Sequence, residues 1–308
     1  MKKLFIILIL FVNSMAVSYA QTNEAVTTIM DDERTARLDS LINDLFIDDP
    51  ELKSLLNTNP WKMHYLYFRS SFSTKTVASG REIGDDQINI GNQLFYLNGA
   101  GFYAGVSGVW YNQLDPGYRT TVLMGGYSNK LFNWDPLRVR LSYLRYISHI
   151  DDPLYEPLYK QALSSGFTLS NKHVGLRLDG SLHFGDYETG KSLSADLYGN
   201  LVLYENGYRK KIRFRPEISV TYGMDYQEFM LDESFIDPIT GYEYTSYYID
   251  KFGLMDVQLE LPIDFRYKNF DFELSYKYHM PQNFVDDVEH PNLSVFQFSV
   301  GYFFRLGK

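Results

Sequence analysis

The sequence predicts an all-β fold: a closed antiparallel transmembrane β-barrel of about 12 strands, preceded by a short helical N-terminal segment. Three observations predict it. From Trp61 onward apolar and polar residues alternate with period two. Connector lengths alternate between short and long, as they must where hairpins turn tightly at one membrane surface and loop out at the other. The apolar face is rich in rings and seldom interrupted by charge for about ten residues, the length a tilted strand needs to cross hydrocarbon. The ring supply is large: 26 Tyr and 22 Phe in 308 residues, with 17% aromatic overall.

The chain opens with "MKKLFIILILFVNSMAVSYAQ", two lysines followed by an apolar run from Leu4 to Val12 and small residues at Ser18 and Ala20. This reads as an export signal over residues 1–20, cleaved before Gln21, and the run is too short to span a bilayer. Losing Lys2 and Lys3 takes the net charge from −9 to −11. The absence of Cys excludes a disulfide scaffold and a lipoprotein anchored through an N-terminal Cys. Residues 21–60 form an acidic, partly helical periplasmic segment, with the barrel mouth as its alternative place, in which Glu24, Asp31, Asp32, Glu33, Asp39, Asp44, Asp48, Asp49 and Glu51 outnumber Arg34, Arg37 and Lys53. Leu38, Leu41, Ile42 and Leu45 fall at helical spacing and predict a short amphipathic helix that starts at Asp31 or Asp32; a second could begin at Pro50. The acidity excludes nucleic acid as a partner, because phosphates require a basic surface.

Residues 61–308 form the barrel. Candidate strands run over 62–74, 86–97, 101–112, 118–129, 136–148, 161–170, 173–184, 192–205, 208–225, 253–267, 270–280 and 293–306. The tenth is the sharpest: Met255, Val257, Leu259, Leu261, Ile263, Phe265 and Tyr267 share one face, and Asp256, Gln258, Glu260, Asp264 and Arg266 the other. In the eleventh, Phe270, Phe272, Leu274, Tyr276 and Tyr278 oppose Asp271, Glu273, Ser275, Lys277 and His279. A two-residue turn at Lys268-Asn269 sets Arg266 opposite Asp271, Asp264 opposite Glu273 and Glu260 opposite Lys277. A two-residue turn at Asn206-Gly207 groups Asp196 with Arg213, Arg215 and Glu217, and Leu197, Leu201 and Leu203 with Ile212, Phe214 and Ile218. Residues 226–251 make the largest external feature, strands nine and ten continuing as a hairpin around turns at Asp237-Pro238 and Thr240-Gly241, with Tyr242, Tyr244, Tyr247 and Tyr248 on it.

The charged face then lines the lumen. Its wall carries Arg138 and Arg140; Arg177, Asp179, Ser181 and His183; Asp196; Lys211, Arg213, Arg215 and Glu217. Asp256, Glu260, Asp264 and Arg266 follow on strand ten, and Asp271, Glu273, Lys277 and His279 on strand eleven. Arg213, Arg215, Asp264, Arg266, Asp271 and Glu273 are expected to form one ion cluster near the end where the short turns lie. Ser181 and His183 are the sharpest catalytic pair, but residues two apart on a strand stand about 7 Å apart, beyond the reach a nucleophile needs of its base. Acidic loops at Asp151, Asp152 and Glu156, and at Asp286, Asp287, Glu289 and His290, offer oxygen ligands without the spacing of a calcium loop. No metal or other cofactor is expected.

With this alternation, connector rhythm and export signal, residues 61–308 resemble bacterial outer-membrane β-barrels. The last strand, "LSVFQFSVGYFFRLGK", looks like the C-terminal strand by which barrel-assembly machinery recognises such chains, although "RLGK" follows Phe304 where an aromatic would normally end the chain. An acidic leader before a Tyr-rich barrel also looks like exported barrels of Bacteroidota-type bacteria. The twelve-stranded outer-membrane phospholipases share the strand count, but their His-x-Ser order is reversed here. The resemblance implies the outer membrane of a Gram-negative bacterium, its lipid and assembly machinery as partners, and a periplasmic partner for residues 21–60. Three functions stay open: a narrow porin-like channel or binding barrel for a small polar solute, a structural or partner-docking barrel with a sealed lumen, and an outer-membrane hydrolase.

Overall fold

The computed structural model describes residues 60–83, 86–131, 134, 136–150, 157–186, 189–207, 210–236, 243–282 and 290–306, with backbone alone over 225–251. The export signal, the acidic segment up to residue 59, Asp151, Asp152, Glu156, Asp286, Asp287, Glu289 and the hairpin tip at 237–242 lie outside the described residues.

Twelve strands follow in chain order: β1 His64–Ser73, β2 Asn89–Asn98, β3 Phe102–Tyr111, β4 Tyr118–Lys130, β5 Leu137–Ser148, β6 Gln161–Ser170 and β7 Val174–Phe184. β8 is Thr189–Gly199 continued as Leu201–Glu205, and β9 is Lys210–Phe214 continued as Glu217–Ile236. β10 Glu243–Tyr267, β11 Phe270–Pro281 and β12 Leu293–Leu306 complete the set. Each strand pairs antiparallel with the next, and β12 pairs back onto β1 from Ser73↔Gln297 to His64↔Leu306. The sheet is therefore a closed barrel with no free edge, the one β-architecture that satisfies its backbone in lipid.

Pro216 explains the break in β9: it cannot donate to a ladder, and its carbonyl instead accepts from the Gly199 amide at 2.8 Å. At the other end β9 and β10 pair from Asp225↔Lys251 to Ile236↔Glu243, so the expected hairpin continues well beyond what a membrane crossing requires. The start of β1 and the end of β12 lie beside Asn98, at the end of the barrel where the short turns lie.

Register fixes the faces, because residues opposite one another share a side. The turn at Lys268-Asn269 is as expected, with Arg266↔Asp271, Asp264↔Glu273 and Glu260↔Lys277. The β8–β9 turn is not. Leu201 faces Phe214, and the Asn206 amide donates to the Lys210 carbonyl at 2.9 Å, so the connection is longer than two residues and the pairing slides by two up to Val202, with a bulge between Val202 and Tyr204 adding one more next to the turn. A slide of two preserves the faces, which is why the charge grouping survives the wrong turn. A second correction concerns Met255: a bulge between Thr221 and Tyr222 turns it inward, where it is buried rather than facing lipid.

The outward face is apolar all round. Leu163, Phe167, Leu178, Leu182, Leu193, Leu197, Ile218, Leu274, Phe296 and Phe298 are all exposed, on six different strands. In water such a belt would be an extended apolar patch; around a closed barrel it is a lipid-facing surface. The chain is a membrane-spanning barrel of the outer-membrane kind.

Candidate functional site: the lumen

The lumen wall divides into two arcs. From β5 to β11 it is ionic, and every charged position the sequence assigned to it faces inward, buried except for half-buried Arg215 and Glu217. Arg177 on β7 is the hub. Its Nε lies 2.7 Å from Asp196 Oδ2 and 3.6 Å from Asp179 Oδ2, its Nη2 donates to Glu217 Oε1 at 2.8 Å, and its guanidinium sits 5.8 Å from the Tyr198 ring centroid. Arg140 pairs with Asp179 across Gly166 of the intervening β6. A Cβ on Gly166 would come within 3.1 Å of Arg140 Nη2, so the missing side chain is what lets the pair reach over a strand.

A second cluster lies toward the short-turn end. Arg215 Nη2 is 3.4 Å from Asp264 Oδ2 and 3.8 Å from Glu273 Oε2, and Arg213 Nη2 is 3.8 Å from Asp264. Arg266 and Asp271 face each other in register beside them. Arg69 on β1 also belongs here and escaped the sequence reading. Its Nη2 donates to Glu273 Oε1 at 3.0 Å across β12, where Arg69 is in register with Gly301 and Glu273 with Ser299. The signal was present, since Arg69 is the one cation in a ring-rich strand, but only barrel closure brings β1 near β11. Lys211 lies 3.9 Å from Glu205, and Glu260 accepts from Ser275 at 2.6 Å and faces Lys277.

From β12 through β1 to β4, and at the long-loop ends of β5 and β6, the inward face carries a cluster of rings and aliphatics set among glycines and small polar residues. Met63, Tyr65, Tyr67, Phe95, Leu97, Tyr103, Val122, Met124, Leu144, Tyr146, Ala162 and Phe303 form one buried cluster. Tyr67 stacks on Phe303 with centroids 4.3 Å apart, and Tyr103 reaches over Gly126 to hydrogen-bond Ser142.

The connection between β1 and β2 crosses the long-loop end. A small hairpin, Val77–Ala78 with Arg81–Glu82, is closed by Ser79 and Gly80, both at positive φ. Thr76 Oγ1 donates to the Gln87 carbonyl at 2.9 Å and the Ile83 amide to the Thr76 carbonyl at 2.9 Å, which rigidifies its base. Ile83 packs against Val109 and Tyr111 on β3. At the tip a Cβ on Gly80 would fall 2.5 Å from Asp256 Cγ on β10. Strands β3 and β10 are five places apart round the barrel, so the hairpin lies across the mouth. Its footing, Asp256, takes a 2.6 Å contact from His279 Nδ1 and accepts the Met280 amide at 3.1 Å.

Ser181 and His183 face inward, but each hydrogen-bonds a different serine: Ser181 Oγ lies 2.7 Å from Ser164 Oγ, and His183 Nε2 lies 3.3 Å from Ser192 Oγ. Among the described residues no group of three or more His, Asp or Glu is placed to hold a metal; Asp256 and His279 supply two donors.

Solved structures similar to this chain include the KdgM porin, at 8% identity over 77% of this chain and 98% of that one, with a TM-score of 0.43. An outer membrane channel from Pseudomonas putida F1 is similar at 9% identity over 79% of this chain and 94% of its own, with a TM-score of 0.39. The translocator domain of autotransporter NalP from Neisseria meningitidis shares 14% identity over 90% of this chain and 99% of its own, with a TM-score of 0.33. No protein-family model matches the chain, and no curated protein does.

Proposed function

We propose that this barrel is a narrow channel or binding barrel for a small polar solute, with the Val77–Glu82 hairpin as its constriction at the outer mouth. The observation that carries the reading is the hairpin spanning from Ile83 on the β3 side to Gly80 on Asp256 of β10. A barrel needing only a filled interior has no use for a loop laid across its mouth, whereas a loop held on two opposite walls restricts passage and can leave. The ionic arc supports the same reading. Asp264 Oδ2 is buried and accepts no hydrogen bond, its cations standing 3.4 and 3.8 Å away, so the wall keeps hydrogen-bonding capacity for a polar guest.

One feature favours the alternative of a sealed, partner-docking barrel: inward charges such as Arg140, Glu260 and Asp264 are under a tenth exposed. Planar-bilayer recordings on the purified chain separate the two. A constricted channel gives small or intermittent conductance, and replacing residues 77–82 by two glycines makes it larger and steady. Silence from both proteins, each shown to be folded by its heat-modifiable mobility, rejects the channel and leaves the sealed barrel.

A further inference from the structure

In the long-loop half of the barrel, the outward face of the described strands carries two charged side chains, Arg145 on β5 and Lys191 on β8. Both are exposed. Register puts Arg145 beside Gln161 of β6 and Lys191 beside Leu182 of β7, within two residue steps of each other in height and three strand spacings apart, about 14 Å. Among the described residues neither has a carboxylate partner or a hydrogen bond; Lys191 Nζ instead rests 4.8 Å from the Phe252 ring centroid. The contrast is Lys160 in the adjoining loop, which is paired with Asp186. Immediately below lie Leu163, Leu178, Leu182 and Leu193, all exposed to lipid.

An unpaired guanidinium and ammonium above such a belt need a counter-charge at the level where hydrocarbon gives way to headgroups. Tyr143 prepares the same level: its ring faces outward and its hydroxyl donates to Gln161 Oε1 at 2.8 Å, leaving the Gln161 amide as a further donor. We infer that the β5–β8 face is a docking surface for a phosphate-bearing lipid of the outer leaflet, with Arg145 and Lys191 taking its phosphates and the leucines below its acyl chains. The rest of the described belt, uncharged at this height, offers no equivalent, so the lipid is held on one side of the barrel.

The test is lipid retention by the purified full-length chain. It is mixed in detergent with equal amounts of bis-phosphorylated lipid A and its dephosphorylated form, and bound lipid is weighed by native mass spectrometry. The natural chain is expected to favour the phosphorylated form roughly tenfold or more. The double variant Arg145→Gln, Lys191→Gln is expected to lose that preference, and Lys160→Gln to keep it. Equal retention of the two lipids by the natural chain, or a preference that survives the double substitution, overturns the inference. So does a double variant that changes the oligomeric mass with lipid preference intact, because the patch would then serve a protein.

Discussion

The two arcs of the lumen wall solve one problem with opposite chemistry. Each must cover the inside of the same sheet, against the same lipid outside. The arc from β12 to β4 does it largely with rings that stack and interlock, as Tyr67 does on Phe303. The arc from β5 to β11 does it with ions whose burial is tolerable only because each finds a counter-charge. Packing of rings degrades gradually when one member changes, whereas an ion network fails at its hubs. The difference should appear first at Arg177, which contacts Asp179, Asp196 and Glu217 together. Arg177→Leu takes the cation from buried Asp196 and half-buried Glu217 and leaves Asp179 to Arg140, and it is expected to cost about 3–5 kcal/mol. Phe95→Leu in the ring arc keeps a hydrophobic side chain of similar bulk and is expected to cost at most about 1.5 kcal/mol. Urea unfolding in lipid vesicles, followed by tryptophan fluorescence, measures both. Comparable losses would mean that the arcs are not distinct in kind.

What the arcs share is the use of inward glycines as saddles. Gly166 passes the Arg140–Asp179 pair and Gly126 passes the Tyr103–Ser142 hydrogen bond, each on the strand between its partners. Filling either saddle should therefore harm both arcs alike. Gly166→Val and Gly126→Val are each expected to cost about 1–3 kcal/mol by overpacking. Gly180→Ala, whose Cβ would meet nothing nearer than 3.7 Å, serves as the outward control and should lie within about 0.5 kcal/mol of the natural chain. The temperature at which the folded band is lost on a gel ranks all three.

The same contrast decides what could be read from sequence. On β10 and β11 polar and apolar residues alternate below the bulge with Pro262 the one break on the β10 lumen face, so faces, register and the ion cluster around Asp264 and Glu273 were legible. In β1 to β4 both faces are mostly apolar or small, as in "HYLYFRSSFS", and the local sign that Tyr65 and Tyr67 turn inward while Leu66 and Phe68 turn out is the single charge of Arg69 on their face. The registers Ser142↔Gly126, Gly126↔Tyr103, Tyr103↔Leu97 and Leu97↔Tyr65 carry the same assignment from the ionic arc to β1. Arg69 was missed because its partner lies across the closing seam. The mouth hairpin was illegible because its anchor, Gly80 on Asp256, joins a loop to a wall 176 positions later in the chain. Met255 was misplaced because a bulge is a backbone event that alternation does not announce.

Apart from the Gly180 control, the smallest expected effect concerns Arg213, and it separates a brace from a filter within the ionic arc. Asp264 has two guanidiniums near it, Arg215 at 3.4 Å and Arg213 at 3.8 Å, and neither distance is that of a good hydrogen bond. Removing the more distant one leaves Asp264 compensated, so Arg213→Gln should cost only about 1 kcal/mol, unlike the loss of Arg177. Its charge nevertheless stands near the short-turn mouth, where Arg69, Arg215 and Arg266 face Asp264, Asp271 and Glu273, and field lines are focused by the low-dielectric wall. If ions pass this cluster, taking away one positive charge shifts reversal potentials under a salt gradient toward cation preference, with the folded barrel intact. If the cluster only braces the wall, the same substitution lowers thermal stability slightly and leaves the reversal potential of any residual conductance where it was. The measurement thus asks whether the ionic arc differs from the ring arc in function as well as in mechanics, and it does so at the residue where mechanics contributes least.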